Sequence, residues 1–157
     1  MGPPAATAAV LAQRTRQCYL DPAGWTVFAD AVPVLRKLAA QGWRHVILSN
    51  HVPELPALVA ALGLDAVIDL VITSALVGYE KPHPEIFHIA LELAGQPKVA
   101  WMVGDNVAAD VLGAEQLGIP AILVRQNDAR ARRCADDLGG VVSFLTAEGS
   151  SNPGRAP

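Results

Sequence analysis

The sequence has 157 residues, of which 52% are hydrophobic and 17% are charged. This length is typical of one domain with its own core, and the composition excludes a disordered or low-complexity chain. The net charge is −3, and the 12 Lys and Arg residues are spread along the chain, so we expect no nucleic-acid binding.

The cysteine content and the apolar runs bear on the compartment. Cys18 and Cys134 are too few and too far apart for a disulfide framework, which favours a reducing, cytoplasmic location. No apolar run reaches the ~20 residues that a membrane-spanning helix needs. Residues 1–16 lack a charged segment followed by an uninterrupted apolar one, so we predict no signal peptide and no membrane association.

Helical and strand patterns alternate along the chain. Apolar residues at helical spacing, Ala-rich composition and terminating glycines indicate the helices, and short apolar runs indicate buried strands. In chain order, we predict a helix at 5–20, a helix at 31–41, a strand at 45–49, a helix at 53–62, a strand at 70–73, a helix at 84–94, a strand at 99–103, a helix at 107–117, a strand at 121–124, a weaker helix near 128–138 and a strand at 141–144.

This alternation predicts an α/β fold with a parallel sheet covered by helices on both faces. In such sheets, ligands bind beyond the carboxyl ends of the strands. The polar segments at those positions are 49–51, 73–74, 104–106 and 125–126. They are the places to search for a functional site.

Two carboxylates, Asp105 and Asp110, lie on the turn that follows the strand at 99–103. Carboxylate oxygens suit a hard cation such as magnesium, and Gly104 permits a tight turn. The alternative is that Asp105 or Asn106 caps the next helix and that Asp110 is a solvated acid in its first turn. Taken alone, the segment favours the capping alternative.

Ser49, Asn50 and Lys81 are candidates for binding an anion. The Ser49 hydroxyl and the amides beside it follow a buried strand, where a phosphate oxygen can bind. Lys81 lies between Glu80 and Pro82 in a stiff loop that would hold its ammonium group in one direction. Considered singly, Ser49 and Asn50 are more typical of a helix cap, and Lys81 of a solvated surface charge.

Three segments in this order resemble the motifs of the haloacid dehalogenase-like hydrolase superfamily, in the subgroup with a small helical cap. They are VILSNH (46–51), GYEKPHPEIF (78–87) and WMVGDNVAADVLGAEQLGIPAILV (101–124). The resemblance covers about residues 25–146. It implies a Rossmann-like three-layer α/β/α core at 25–147 and a remnant of the cap at 1–24. The tail at 148–157 is rich in Ser, Pro and Gly, and we predict that it is disordered.

The resemblance also implies a magnesium-dependent phosphoryl-transfer site. In such enzymes one Asp attacks phosphorus, and a second Asp, two residues later, acts as general acid and base. Ser49 would then bind a phosphoryl oxygen beside Asn50, and Lys81 would neutralise charge on the nucleophile. Asp105 would bind the metal directly, and Asp110 would orient the site from its edge.

The first motif of this superfamily, a strand ending in Asp-x-Asp, has no counterpart in this sequence. Asp30 and Asp21 are not credible nucleophiles, because Asp30 lies at the return from the cap and no strand precedes Asp21. The central strand and most of the cap would therefore be missing, which leaves the magnesium site weak or incomplete. We expect a slot in the sheet, with self-association or a partner chain filling it.

Two functions from different classes follow. One is a phosphatase-type hydrolase of small phosphorylated molecules, or the larger part of a truncated one, inactive as this isolated chain. The alternative is a non-catalytic domain that keeps the fold and binds a partner. A dehalogenase is a weaker third option, because Asp105 and Asp110 favour phosphate chemistry.

Overall fold

The computed structural model describes residues 5–149, and the side chains of residues 7–146. The helices are α1 (Ala5–Leu20), α2 (Ala31–Ala39), α3 (Leu55–Ala61), α4 (Ser74–Val77), α5 (Pro84–Leu93), α6 (Gly113–Glu115) and α7 (Leu138–Gly149). The strands are β1 (Val46–Ser49), β2 (Leu70–Thr73), β3 (Met102–Gly104), β4 (Ala121–Val124) and β5 (Cys134–Ala135). A 3₁₀ turn, Pro22–Gly24, follows α1, and a π-helical turn, Val107–Leu112, precedes α6.

All strand pairs are parallel, and the described residues form two separate sheets. In one, β1 pairs with β2, with Val46 opposite Leu70. In the other, β3 pairs with β4 and β4 with β5. The α/β fold with parallel sheets is confirmed, and so is the gap where its central strand was expected.

Helices cover the larger sheet on both faces. On one face, α2 and α7 pack against β4 and β5 through Leu38, Ile122, Val141 and Leu145. On the other, α5 and the turn before α6 pack against β4. In the smaller sheet, α3 packs against β1 and β2. The three-layer arrangement therefore follows from apolar faces that only an opposing layer can bury.

A cavity of about 840 Å³ separates the two sheets where β1 and β3 face each other. We call this cavity the slot. All four residues of β4 are buried, whereas every residue of β1 and β3 is only half-buried. Apolar side chains of α2, α5 and α7 line the slot's walls. In the described chain, β1 and β3 have not closed up to pair with each other, and α1 is a helix rather than a strand filling the slot.

Two predicted elements near the end of the chain are wrong. The predicted strand at 141–144 belongs to α7, and the predicted helix near 128–138 contains β5. Leu138, Val141, Val142 and Leu145 have helical spacing, and the β-branched pair in this run was misread as a strand. The Asp30 carboxylate accepts a hydrogen bond of 2.8 Å from the Leu138 N–H at the start of α7.

The expected limits of cap remnant, core and tail stay predictions. Of the tail predicted at 148–157, α7 includes the backbone of 148–149, and 150–157 lie outside the described residues. Within 5–149, no helix is both long and apolar enough to cross a membrane.

Candidate active site at the mouth of the slot

The predicted site residues gather at the carboxyl ends of β1 and β3. Ser49 is the last residue of β1, and Asp105 follows β3 directly. Ser49, Lys81, Asp105 and Asp110 all line the slot, and Asn50 is bonded to Lys81. The parallel strands thus bring together side chains that are far apart in the sequence, at the edge where α/β proteins bind ligands.

Lys81 is buried and points into the site. Only 9% of its side chain is exposed. Its Nζ donates to the Leu48 carbonyl oxygen at 2.6 Å and lies 2.7 Å from Asp110 Oδ1. The solvated-charge interpretation of Lys81 is therefore wrong. An ammonium has three donors, and these two contacts leave capacity for an anion at the slot mouth.

Asn50 fixes the backbone of Lys81 to the end of β1. Its Nδ2 donates to the Lys81 carbonyl oxygen at 2.9 Å, and its Oδ1 accepts from the Lys81 N–H at 2.7 Å. These two bonds join the loop after β1 to the loop after α4. Asn50 is thus a positioning residue for Lys81. The helix after β1 begins at Leu55, so neither Ser49 nor Asn50 is its cap.

Asp110 is buried, with 4% exposure, and both of its carboxylate oxygens are engaged. Oδ1 pairs with Lys81, and Oδ2 accepts from the Asn106 N–H at 3.0 Å. A Cβ on Gly104 would lie 2.2 Å from Asp110 Oδ2, closer than any real contact. Gly104 therefore makes room for the Asp110 carboxylate, a requirement more specific than the tight turn inferred from the sequence.

Asn106 caps the π-helical turn. Its Oδ1 accepts hydrogen bonds from the N–H groups of Ala108 at 3.0 Å and Ala109 at 2.9 Å. Capping therefore belongs to Asn106, and the alternative of Asp110 as a solvated acid is wrong. Asp105 is exposed at the slot mouth, and its carboxylate is not the cap.

These residues fit a magnesium ion only in part. Carboxylates are the oxygen ligands that magnesium takes, and Asp105 offers one at the slot mouth. One carboxylate oxygen of Asp110 is paired with Lys81, and the other accepts a hydrogen bond from the Asn106 N–H. Among the side chains described, those of residues 7–146, no three His, Cys, Asp or Glu side chains converge in a group able to hold a metal. Asp105 would supply one ligand, and the remainder of the site would have to come from other groups.

Asp30 has a structural role, in agreement with its dismissal as a nucleophile. Its Oδ1 lies 2.5 Å from Arg125 Nη2, and its Oδ2 accepts from the Leu138 N–H. The Leu138 hydrogen bond is the largest cause that lowers the pKa of Asp30 below 3.8; partial burial opposes it, and Arg125 adds to the lowering. Arg125 also lies over the Phe28 ring, 3.7 Å from its centre.

Sequence reasoning missed the residues that hold the loop after β1. Thr73 donates its hydroxyl proton to the His51 carbonyl oxygen, and the His51 N–H donates to Ser74 Oγ at 3.1 Å. The signal was present, because 73–74 had been placed at a strand's carboxyl end. Trp25 lies beside this loop, 5.9 Å from the His51 ring, and is 37% exposed.

Comparison with known proteins identifies the family. Residues 3–118 match the family model of haloacid dehalogenase-like hydrolases. The chain belongs to this family. A human relative, haloacid dehalogenase-like hydrolase domain-containing protein 3, is 36% identical over 117 residues, which are 74% of this chain and 47% of the relative.

Other relatives include phosphatases. Phosphoserine phosphatase of Thermus thermophilus is 38% identical over 103 residues, which are 64% of this chain and 41% of the relative. The crystal structure of a HAD phosphatase from Thermococcus onnurineus superposes with a TM-score of 0.74 at 29% identity, covering 82% of this chain and 62% of that one. The present chain therefore spans about half the length of the curated relatives it matches.

Proposed function

We propose that these 157 residues form the larger part of a magnesium-dependent hydrolase of phosphate monoesters. The observation that carries the proposal is the buried Lys81–Asp110 pair at the mouth of the slot. A buried ammonium held by two protein oxygens is a preorganised partner for phosphoryl charge. The phosphatases among the relatives support the same chemistry.

Each residue of the candidate site would have a distinct role. The Ser49 hydroxyl donates to one phosphoryl oxygen, and the Lys81 ammonium offsets negative charge at the reacting centre. Asp110 and Asn50 fix Lys81 in place from its side chain and its backbone. Asp105 would be the chain's ligand to magnesium, which supplies further charge stabilisation when bound. Phosphoryl transfer depends mostly on such positioning and neutralisation.

The nucleophile must come from a strand in the slot, since this sequence has no Asp-x-Asp. Its first carboxylate would attack phosphorus while the ester P–O bond breaks, and its second carboxyl group, protonated at this stage, would give its proton to the leaving oxygen and later take one from the attacking water. Water then hydrolyses the aspartyl-phosphate, which releases phosphate and restores the carboxylate.

The slot is suited to such a strand. The edges of β1 and β3 that face it lack partners in the described sheets, and the walls are apolar. His45 lies at the other end of the slot. Its Nδ1 forms a hydrogen bond of 3.0 Å with the Val67 carbonyl oxygen, and its buried Nε2 has no partner among the described residues. An inserted strand with a donor near its first residue would satisfy Nε2. Without it, we propose that the chain is marginally stable and self-associates.

The test is complementation with a synthetic peptide. We would add to the 157-residue chain a peptide of about eight residues, with an apolar run of strand length followed by Asp-x-Asp. Magnesium-dependent release of phosphate from an aryl phosphate is expected with this peptide. None is expected with a matched peptide carrying Asn for the first Asp, or with the Lys81→Met chain.

The absent nucleophile favours a second function, a non-catalytic domain that binds a partner through the same slot. Tight binding of the peptide without any turnover would support this second function and contradict the first. If the peptide does not bind at all, the slot is not a strand site and both proposals fail.

A further inference from the structure

Three aromatic side chains meet beside the carboxyl end of β1. Tyr19 is the residue before the last in α1, Trp25 follows the 3₁₀ turn, and His51 follows Asn50 directly; we call these three residues the rim cluster. The Tyr19 and His51 rings are stacked, with centroids 5.2 Å apart, and the Trp25 ring lies 5.3 Å from Tyr19 and 5.9 Å from His51. The Tyr19 hydroxyl is 2.8 Å from His51 Nε2, and Trp25 Nε1 donates to the Tyr19 carbonyl oxygen at 2.7 Å.

The rim cluster is held rigidly against the candidate active site. The backbone of His51 is bonded to Thr73 and Ser74, at the carboxyl end of β2. Asn50, the preceding residue, is clamped to Lys81 by two hydrogen bonds. One short loop therefore carries both the positioning residue of Lys81 and the His51 ring of the rim cluster.

Two of the three rings of the rim cluster are accessible. Tyr19 is 44% exposed and Trp25 is 37% exposed. An open cleft of about 450 Å³ adjoins both rings, and Thr15, Cys18 and Gly24 complete its lining. Exposed aromatic surface that is fixed by hydrogen bonds, beside a polar site and an open cleft, is typical of a ligand-binding surface.

We propose that the rim cluster binds the organic group of the phosphate ester and selects a planar aromatic ring over a puckered saturated one. The inference rests on the proposed function, because the phosphate must lie near Lys81 for the ester's organic group to reach the rim cluster. A flat ring can stack on the exposed faces of Trp25 and Tyr19, and a saturated ring lacks the flat π-face that such contacts need. Tyr19 and Trp25 are thus assigned as specificity-determining residues.

The experiment compares phenyl phosphate, cyclohexyl phosphate and inorganic phosphate in calorimetric titrations of the 157-residue chain with magnesium and with the slot peptide that carries Asn for the first Asp, which fills the slot without turnover. The two esters have the same number of carbons and differ in ring shape. We expect phenyl phosphate to bind roughly three- to tenfold more tightly than cyclohexyl phosphate, as aromatic pairing predicts. Trp25→Leu should abolish this preference, and Trp25→Phe should retain it. Tyr79→Leu is the matched control, because Tyr79 is a 40% exposed tyrosine stacked on His83, outside the rim cluster.

The outcomes separate the two proposals. Equal binding of the two esters would overturn the role of the rim cluster and leave the proposed function standing. If Tyr79→Leu loses the preference for phenyl phosphate as fully as Trp25→Leu does, the rim cluster is not the source of that preference and the proposal is overturned. If none of the three ligands binds, the proposed function fails, and this inference fails with it. The comparison of the two esters on the unmodified chain decides the proposal even if Trp25→Leu does not fold.

Discussion

Replacing Gly104 by alanine should break the Lys81–Asp110 pair without touching either charged residue. The added Cβ would lie 2.2 Å from Asp110 Oδ2, 2.4 Å from its Cγ and 2.6 Å from its Cβ. All three distances are far below van der Waals contact, so the Asp110 side chain must move. It would then give up its contacts of 2.7 Å to Lys81 Nζ and 3.0 Å to the Asn106 N–H.

The magnitude follows from the burial of the pair. The Lys81 and Asp110 side chains are 9% and 6% exposed, so separating them leaves a buried charge without its partner. Such a loss costs about 3–5 kcal/mol of unfolding free energy, compared with about 1–3 kcal/mol for overpacking alone. Gly24→Ala is the matched control, because its Cβ would find its nearest atom, the Cys18 carbonyl oxygen, at 3.7 Å. We expect that control to change stability by no more than about 0.5 kcal/mol.

The assay is urea unfolding of the 157-residue chain followed by circular dichroism. We expect Gly104→Ala to lose most of the unfolding free energy that the Lys81–Asp110 pair contributes. Gly24→Ala should unfold at the same urea concentration as the parent chain. In an Asp110→Gly background the added cost of Gly104→Ala should fall, because the clashing atoms are gone. If Gly104→Ala is as stable as Gly24→Ala, the close approach of Asp110 to Gly104 is refuted.

Three further predictions concern catalysis, metal binding and pH. The 157-residue chain alone should not hydrolyse an aryl phosphate with magnesium, and turnover that persists on purification and is lost in Asp105→Asn would contradict this. Magnesium should bind at roughly millimolar level or more weakly, and calorimetry showing tight binding that Asp105→Ala abolishes would reveal a complete site. Because the pKa of Asp30 is lowered from 3.8, its carboxylate stabilises the fold above that pH and less as pH falls below it. The stability difference between the parent chain and Asp30→Asn should therefore shrink in acid, and a difference that is constant from pH 7 to pH 2 would exclude this role.

The sequence predicts correctly those helices and strands whose pattern of residues favours only one kind of secondary structure. The strands at 70–73 and 121–124 and the helix at 5–20 occur as predicted, because short apolar runs and Ala-rich stretches favour one structure each. The last helix was missed because Val141 and Val142 are β-branched neighbours, and tertiary packing against β4 and β5 overrides their strand preference.

The sequence predicts which residues form the candidate site, but it does not predict the hydrogen bonds and the ion pair that connect them. The carboxyl-end rule places Ser49 and Asp105 at one edge, and the family resemblance adds Lys81 to them. The bonds from Lys81 to Leu48 and Asn50 join residues more than thirty positions apart, and no local pattern encodes such a contact. For the same reason, the burial that turns a surface lysine into an ion-paired one appears only in the folded chain.

The proposed function depends on the open slot between β1 and β3, and amide hydrogen exchange tests this slot most directly. Protection should be high in β4, which has strand partners on both sides, and low in β1 and β3, each of which is paired on one side. Adding the Asp-x-Asp peptide should raise protection in 46–49 and 102–104 and leave 121–124 unchanged. If β1 and β3 are already as protected as β4 in a monomeric chain without peptide, the sheet has no open slot and the proposed function is contradicted.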